Sequence, residues 1–169
     1  MGMSVSVTML AFDDTDSPDG MCTTYLAAVM LDELSDLDLL GWPRLVRLNP
    51  NVPWKTRGNA AVCLPLGHGE GRGRPCGRLE RGELLWYAKG RPADPEEVLE
   101  RSAKVVQAHA RFECRTTNPG VVASLRRPSQ SLYWRAVREV VPLEAVEDEL
   151  KSCGAFWRGF KGGRGVIGA

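Results

Sequence analysis

The chain predicts a single layered domain of the α/β (or α+β) class, a mixed sheet flanked by helices. Three observations carry that expectation. Its 169 residues are 43% hydrophobic and 25% charged, which is enough apolar material for one core. Short apolar runs alternate with amphipathic stretches, the pattern of strands interleaved with helices. No apolar run is long enough to span a bilayer, and the sequence shows no internal repeat.

Taken in order, residues 5–12 are an almost unbroken apolar run, as in a buried strand. Residues 23–34 place Leu26, Val29, Met30 and Leu34 on one helical face. Residues 44–48 alternate basic and apolar side chains, the mark of a half-buried strand. Residues 59–64, centred on AAVCL, predict a third strand. Residues 67–82, GHGEGRGRPCGRLERG, read as a mobile Gly/Arg-rich loop. Asp94-Pro95-Glu96-Glu97 opens a helix: a capping Asp, a Pro whose missing N–H is not needed there, then acids at the positive end of the dipole. That helix extends to about residue 111, with Val98, Val105 and Val106 inward. Residues 121–125 predict another strand. Pro128-Ser129 starts a helix to about residue 140, and Pro142 starts one that Gly154 ends. The tail, FKGGRGVIGA, is glycine-rich.

The net charge of +1 hides an asymmetry. Residues 1–43 hold eight acids and no Lys or Arg, whereas residues 44–169 hold all 22 basic residues against 13 acids. Seventeen of the basic residues are Arg, the side chain best shaped for bidentate phosphate contacts. An acidic pocket in a basic body suits a metal–nucleotide enzyme acting on a polyanion. The start has no basic segment ahead of an apolar one, so a cytoplasmic location is expected. The five cysteines form no C-x-x-C pair, which argues against structural zinc and for free thiols.

The chemistry-bearing motif is DDTDSPDGMCT at residues 13–23. Asp13, Asp14 and Asp16 follow a strand and precede a helix. An Asx-turn with a helix cap accounts for one Asp. Three such charges repel one another unless a cation lies among them, and Mg²⁺ takes hard oxygen ligands and brings phosphate. Thr23 stands at the expected helix N-terminus, either as its cap or as a hydroxyl able to accept a phosphoryl group.

A second motif, LNPNVPWKTRGN at residues 48–59, projects Lys55, Thr56 and Arg57 beside Gly58 and Asn59. A positive loop facing an acidic metal site can hold nucleotide phosphates. Trp54 either stacks on a base or pins the loop. A third, KGGRGVIG at 161–168, offers Gly162, Gly163, Arg164 and Gly165 to a phosphate, although it is not a Walker A sequence. TTNPG at 116–120 is a turn first and a binding loop second.

These blocks carry a family likeness. DDTDSPDGMCTTY at 13–25, RLVRLNPNVPWKTRGNAAV at 44–62, TNPG at 117–120 and GGRGVIGA at 162–169 closely resemble the archaeal 2-agmatinylcytidine synthetases that act on an isoleucine tRNA. The resemblance implies a kinase-like catalytic domain over residues 1–169 that uses ATP and Mg²⁺. It implies phosphorylation of the wobble cytidine in the CAU anticodon at O2, and displacement of that phosphate by agmatine at C2. It also implies self-phosphorylation of a threonine that corresponds to Thr23, with Asp13, Asp14 and Asp16 in the acidic turn. Lys55 and Arg57 fall in the family's basic loop, and Gly162 to Gly165 in its glycine-rich segment. The family's ferredoxin-like, OB-fold and zinc-ribbon domains are expected to be absent from these residues, and none of the quoted family motifs falls within residues 67–82. Two other classes stay open. An aspartyl-phosphate phosphatase would use Asp14-x-Asp16 after the first strand, but a downstream Gly-Asp-x-x-x-Asp is missing. A non-catalytic RNA-binding module would use the arginines and the five tryptophans.

Overall fold

The computed structural model describes residues 6–56, 58–70, 73–79, 82–85 and 90–169. Strand β1 (Val7–Asp13) lies at the centre of the main sheet because both of its edges are paired. On one side it meets β4 (Ala60–Gly67), with Leu10 opposite Leu64. On the other it meets β7 (Gly120–Ser124), with Asp13 opposite Gly120. The far edge of β4 is shared by β2 (Asp38–Leu39) and β3 (Arg44–Arg47), and β8 (Phe156–Gly159) closes the edge beyond β7. The predicted layered domain is found. Every pairing among the described residues is antiparallel, which places it at the α+β end of the expected class.

Period-two alternation sorts the sheet into two faces. Leu10, Phe12, Leu64, Val121 and Ala123 are almost fully buried beneath α1 (Thr23–Glu33) and α2 (Pro95–His109). Each such Leu or Phe contributes roughly 1.5–3 kcal/mol through burial. A smaller cluster on the opposite face joins Val122 to Ala136 of α3 (Gln130–Arg138) and to Val146 and Leu150 of α4 (Leu143–Cys153). Met9, Ala11 and Cys63 on that face are only half-buried. The caps read from sequence form as expected: Asp94 accepts from Glu97 N–H at 2.9 Å, Ser129 accepts from Leu132 N–H at 3.2 Å, and Gly154 ends α4 in the left-handed region. Among the described residues no helix is long and apolar enough to cross a membrane.

Three elements escape the sequence pattern. Part of the 67–82 segment forms a strand, β5 (Pro75–Leu79), paired with β6 (Gly82–Leu85) in a separate ribbon. Its Gly and Arg residues supply no apolar alternation to announce it. The strand β8 reads FWRG and is largely exposed, so it has no apolar face to detect. The glycine-rich tail contains a short helix, α5 (Gly165–Gly168).

That tail docks backbone against backbone. A Cβ on Gly120 would lie 1.9 Å from Val166 N, and one on Gly165 would lie 2.2 Å from Gly120 N. The paired glycines therefore let α5 approach the ends of β1 and β7 directly. Replacing Gly120 by Ala should destabilise the fold by about 3 kcal/mol, as overpacking against backbone does. Urea denaturation checks this, and an unchanged midpoint would contradict the close approach.

Candidate active site

The acidic turn leaves the central strand at its buried end. Asp13 is the last residue of β1 and is 8% exposed. Its Oδ1 accepts from the Asp14 N–H at 2.7 Å. Its Oδ2 rests against Gly168, where a Cβ would come within 1.9 Å of that oxygen. Asp14 adopts φ 55, a left-handed conformation uncommon for a residue other than glycine. Its Oδ2 accepts from Asn118 N–H at 3.2 Å and lies 3.8 Å from Arg164 Nη2. The Thr117 hydroxyl donates to the Asp16 carbonyl at 2.8 Å and fixes the path of the turn.

The basic loop is held to the same end of the sheet. Leu48 N–H donates to Asn59 O at 3.0 Å, and Asn59 Nδ2 donates to Asn49 O at 2.9 Å. Asn49 N–H in turn donates to Ala136 O at 3.0 Å, and the Thr56 hydroxyl donates to Thr116 Oγ1 at 3.1 Å. The Arg164 guanidinium lies over the Trp54 ring, 5.4 Å from its centroid. Trp54 thus pins a cation, and it remains 38% exposed.

These segments enclose a cavity of about 70 Å³. Asp13, Asp14 and Asp16 line it, and so do Lys55, Thr56, Gly58, Asn59 and Arg164. Residues from three distant stretches of sequence therefore share one space. Arg57 lies outside the described residues. Thr23 does not line this cavity. It is 7% exposed at the first position of α1 and accepts from the Thr15 hydroxyl at 3.1 Å. It is not the cap of α1, because Cys22 holds that position. The glycines of the tail at 162, 163 and 165 do not line the cavity either. Gly162, Gly163 and Gly165 donate their N–H groups to Asn118 Oδ1, Phe160 O and Asn118 O. The segment's contribution to the cavity is the Arg164 side chain, with Ile167 and Gly168.

The electrostatics are those of an unfinished site. Burial is the main cause that raises Asp13 from an ordinary 3.8 to about 7, with a partly offsetting hydrogen bond from Asp14 N–H and repulsion from its acidic neighbours. Burial also raises Asp14 to about 7, against the opposing pull of Arg164. Arg164 Nε is buried and has no hydrogen-bond partner among the described residues. Hard carboxylate oxygens beside an unpartnered guanidinium N–H fit a divalent cation together with an anion. Among the described residues, however, no three acidic, His or Cys side chains converge tightly enough to hold an ion by themselves. Asp13 and Asp14 each accept a backbone N–H through one carboxylate oxygen. Mg²⁺ tolerates this, because it commonly takes one or two carboxylates and completes its shell with phosphate oxygens and water.

Residues 9–161 match the family described as the TiaS TCKD domain. The chain belongs to that family. It is 42% identical over 160 residues to TiaS of Thermoplasma volcanium, a 2-agmatinylcytidine synthetase named for an isoleucine tRNA, covering 95% of this chain and 36% of that protein. The corresponding synthetase of Methanocorpusculum labreanum is 40% identical over 166 residues, covering 98% of this chain and 34% of the relative. A solved complex of TiaS with that tRNA and ATP superposes with a TM-score of 0.74 at 29% identity, covering 97% of this chain and 35% of that one. A TiaS complex with the tRNA, AMPCPP and agmatine gives 0.74 at 27% identity, with the same coverage. The chain thus spans about a third of the length of the TiaS proteins it matches.

Three residues that the sequence reading placed inside motifs, but gave no role of their own, shape the site: Thr116, Asn118 and Gly168. TTNPG was legible as a turn, but nothing local showed that Asn118 would reach Asp14. The raised carboxyls make a testable statement about the ligand-free protein. A folded-state pKa above the ordinary value favours the protonated form, so the stability linked to it is full below about pH 4 and is lost as pH rises through about 7. Denaturation without divalent ions should show that decline. Asp13→Asn should shrink it to the share that Asp14 contributes and raise stability at about pH 8 by on the order of 2 kcal/mol. A wild-type profile level across this interval would rule out the buried charge.

Proposed function

We propose that this chain is the ATP-using phosphoryl-transfer domain of a synthetase that joins agmatine to C2 of the wobble cytidine in the CAU-anticodon isoleucine tRNA. The supporting observation is the shared cavity: the buried Asp13 and half-buried Asp14 carboxyls, both held above their ordinary range, beside Lys55, Thr56 and the unpartnered Nε of Arg164. Family membership and the names of the TiaS complexes, with ATP, an ATP analogue, agmatine and an isoleucine tRNA, support the same reading.

In this reading Asp13 and Asp14, with Asp16 beside them, hold Mg²⁺, which supplies charge neutralisation to the phosphates when bound. Lys55, Arg57 and Arg164 offset negative charge on the moving group, and Thr56, Gly58 and Asn59 orient the phosphate chain. The γ-phosphoryl bond to the ADP oxygen breaks as a bond to cytidine O2 forms. The agmatine amine then attacks C2, and inorganic phosphate leaves with the O2 oxygen. Trp54, held beneath Arg164, closes one wall against water. The acceptor of self-phosphorylation is Thr23.

Incubation with Mg²⁺ and γ-labelled ATP, followed by mapping of the labelled residue, tests the proposal. Label should appear on Thr23, and Asp13→Asn should reduce transfer by about 100-fold or more. Arg164→Ala should weaken ATP binding roughly tenfold, because it removes a charge-assisted hydrogen bond. Full transfer by the Asp13→Asn protein would remove the acidic turn from the mechanism.

A further inference from the structure

Beyond the aspartate cavity, the second face of the sheet carries a groove of about 520 Å³. Its floor is apolar, built from side chains such as Met9, Val46 and Val122. Arg44, Arg126 and Arg127 stand on its rim, all exposed, and Tyr133 lines it at 39% exposure. The groove adjoins the aspartate cavity, since Leu48, Ala136, Ile167 and Gly168 line both.

The three rim arginines differ from others in the molecule. Arg91 and Arg101 are tied to Asp36 and Glu97, and Arg158 to Glu100. Arg44, Arg126 and Arg127 take part in no salt bridge among the described residues. A cluster of uncompensated guanidinium groups over an apolar floor selects an occupant that is both anionic and flat-faced. Single-stranded nucleic acid has that chemistry: phosphates for the arginines, and a base face for the tyrosine and the apolar floor. A duplex hides its base faces, and an acidic peptide has none.

We propose that this groove seats the single-stranded RNA nucleotides next to the base that enters the aspartate cavity. Arg44, Arg126 and Arg127 hold the phosphates, and Tyr133 stacks on a base. The inference rests on the function proposed above and adds to it the route by which the RNA reaches the site.

The test uses the 169-residue chain, a short single-stranded RNA oligonucleotide and a duplex RNA of equal strand length, with MgATP affinity measured in parallel. The wild-type chain should bind the single strand in preference to the duplex. The Arg126→Ala, Arg127→Ala double variant should bind it about tenfold more weakly, with the salt slope reduced by about 0.7 for each phosphate no longer neutralised. Tyr133→Leu should weaken it about tenfold without changing the slope. Arg127→Lys should retain most of the affinity, which separates lost charge from a damaged fold. MgATP affinity should be unchanged throughout.

An unaltered affinity and slope in the double variant overturns the groove. So does wild-type protein that binds MgATP but not the single strand, and that result leaves the proposed function standing. Groove-dependent RNA binding without MgATP binding supports the groove and sinks the ATP reading. Self-association that depends on Tyr133, with RNA binding unaffected, assigns the face to a second copy and overturns the proposal.

Discussion

The carboxylate of Asp13 is the constraint around which the site is built. It closes a strand whose preceding residues are paired on both edges, and it is itself paired with Gly120, so its backbone has little freedom to carry the charge out to water. Burying an ionised carboxylate without a partner is costly, and the usual escape is to take up a proton or a cation. Nearby groups hold the oxygens in place without neutralising them. Asp14 N–H donates to one, and the absence of a side chain at Gly168 gives the other a seat. Arg164 leans toward Asp14 instead. The fold thus keeps a carboxyl whose ionised form nothing within the described residues fully answers. Local rules are broken in this way where function requires it.

Asn118 makes that arrangement one unit. Its N–H reaches Asp14, its Oδ1 accepts from Gly162 N–H, and its carbonyl accepts from Gly165 N–H at 2.9 Å. Its side-chain amide also donates to the Arg115 and Thr116 carbonyls. Lys161 adds a second clasp through the Phe112 and Cys114 carbonyls, at 3.0 and 2.6 Å. The acidic turn, the turn before β7 and the glycine-rich tail are therefore positioned together. Thr56, bonded to Thr116, brings the basic loop into the same frame.

What the sequence disclosed follows from how local each signal is. The α2 start was legible because Asp94, Pro95, Glu96 and Glu97 act on their own backbone. The central strand was legible because both of its faces are apolar. The acidic turn and the basic loop could be read as opposed charges, since neither composition suits a core. Their meeting in one cavity depends on strand order, which no local pattern encodes. The tail failed for the opposite reason: its glycines looked like a phosphate cradle, yet most serve close packing and donate internally. Thr23 looked like a helix cap, but a shift of one residue gives the cap to Cys22 and turns the Thr23 hydroxyl toward Thr15.

In the proposed reaction, that placement would separate two phosphoryl acceptors. Under that proposal a base would meet the aspartates and Arg164, which line the cavity. The Thr23 hydroxyl sits outside the cavity, against Thr15, which is fully buried. A phosphate there carries nearly two negative charges into a site whose adjacent side chain offers only a hydroxyl. Transfer to Thr23 therefore demands that the first turn of α1 open and the Thr15 bond break. Transfer to a nucleotide in the cavity would require neither, so under the proposal the two acceptors belong to different arrangements of the same turn.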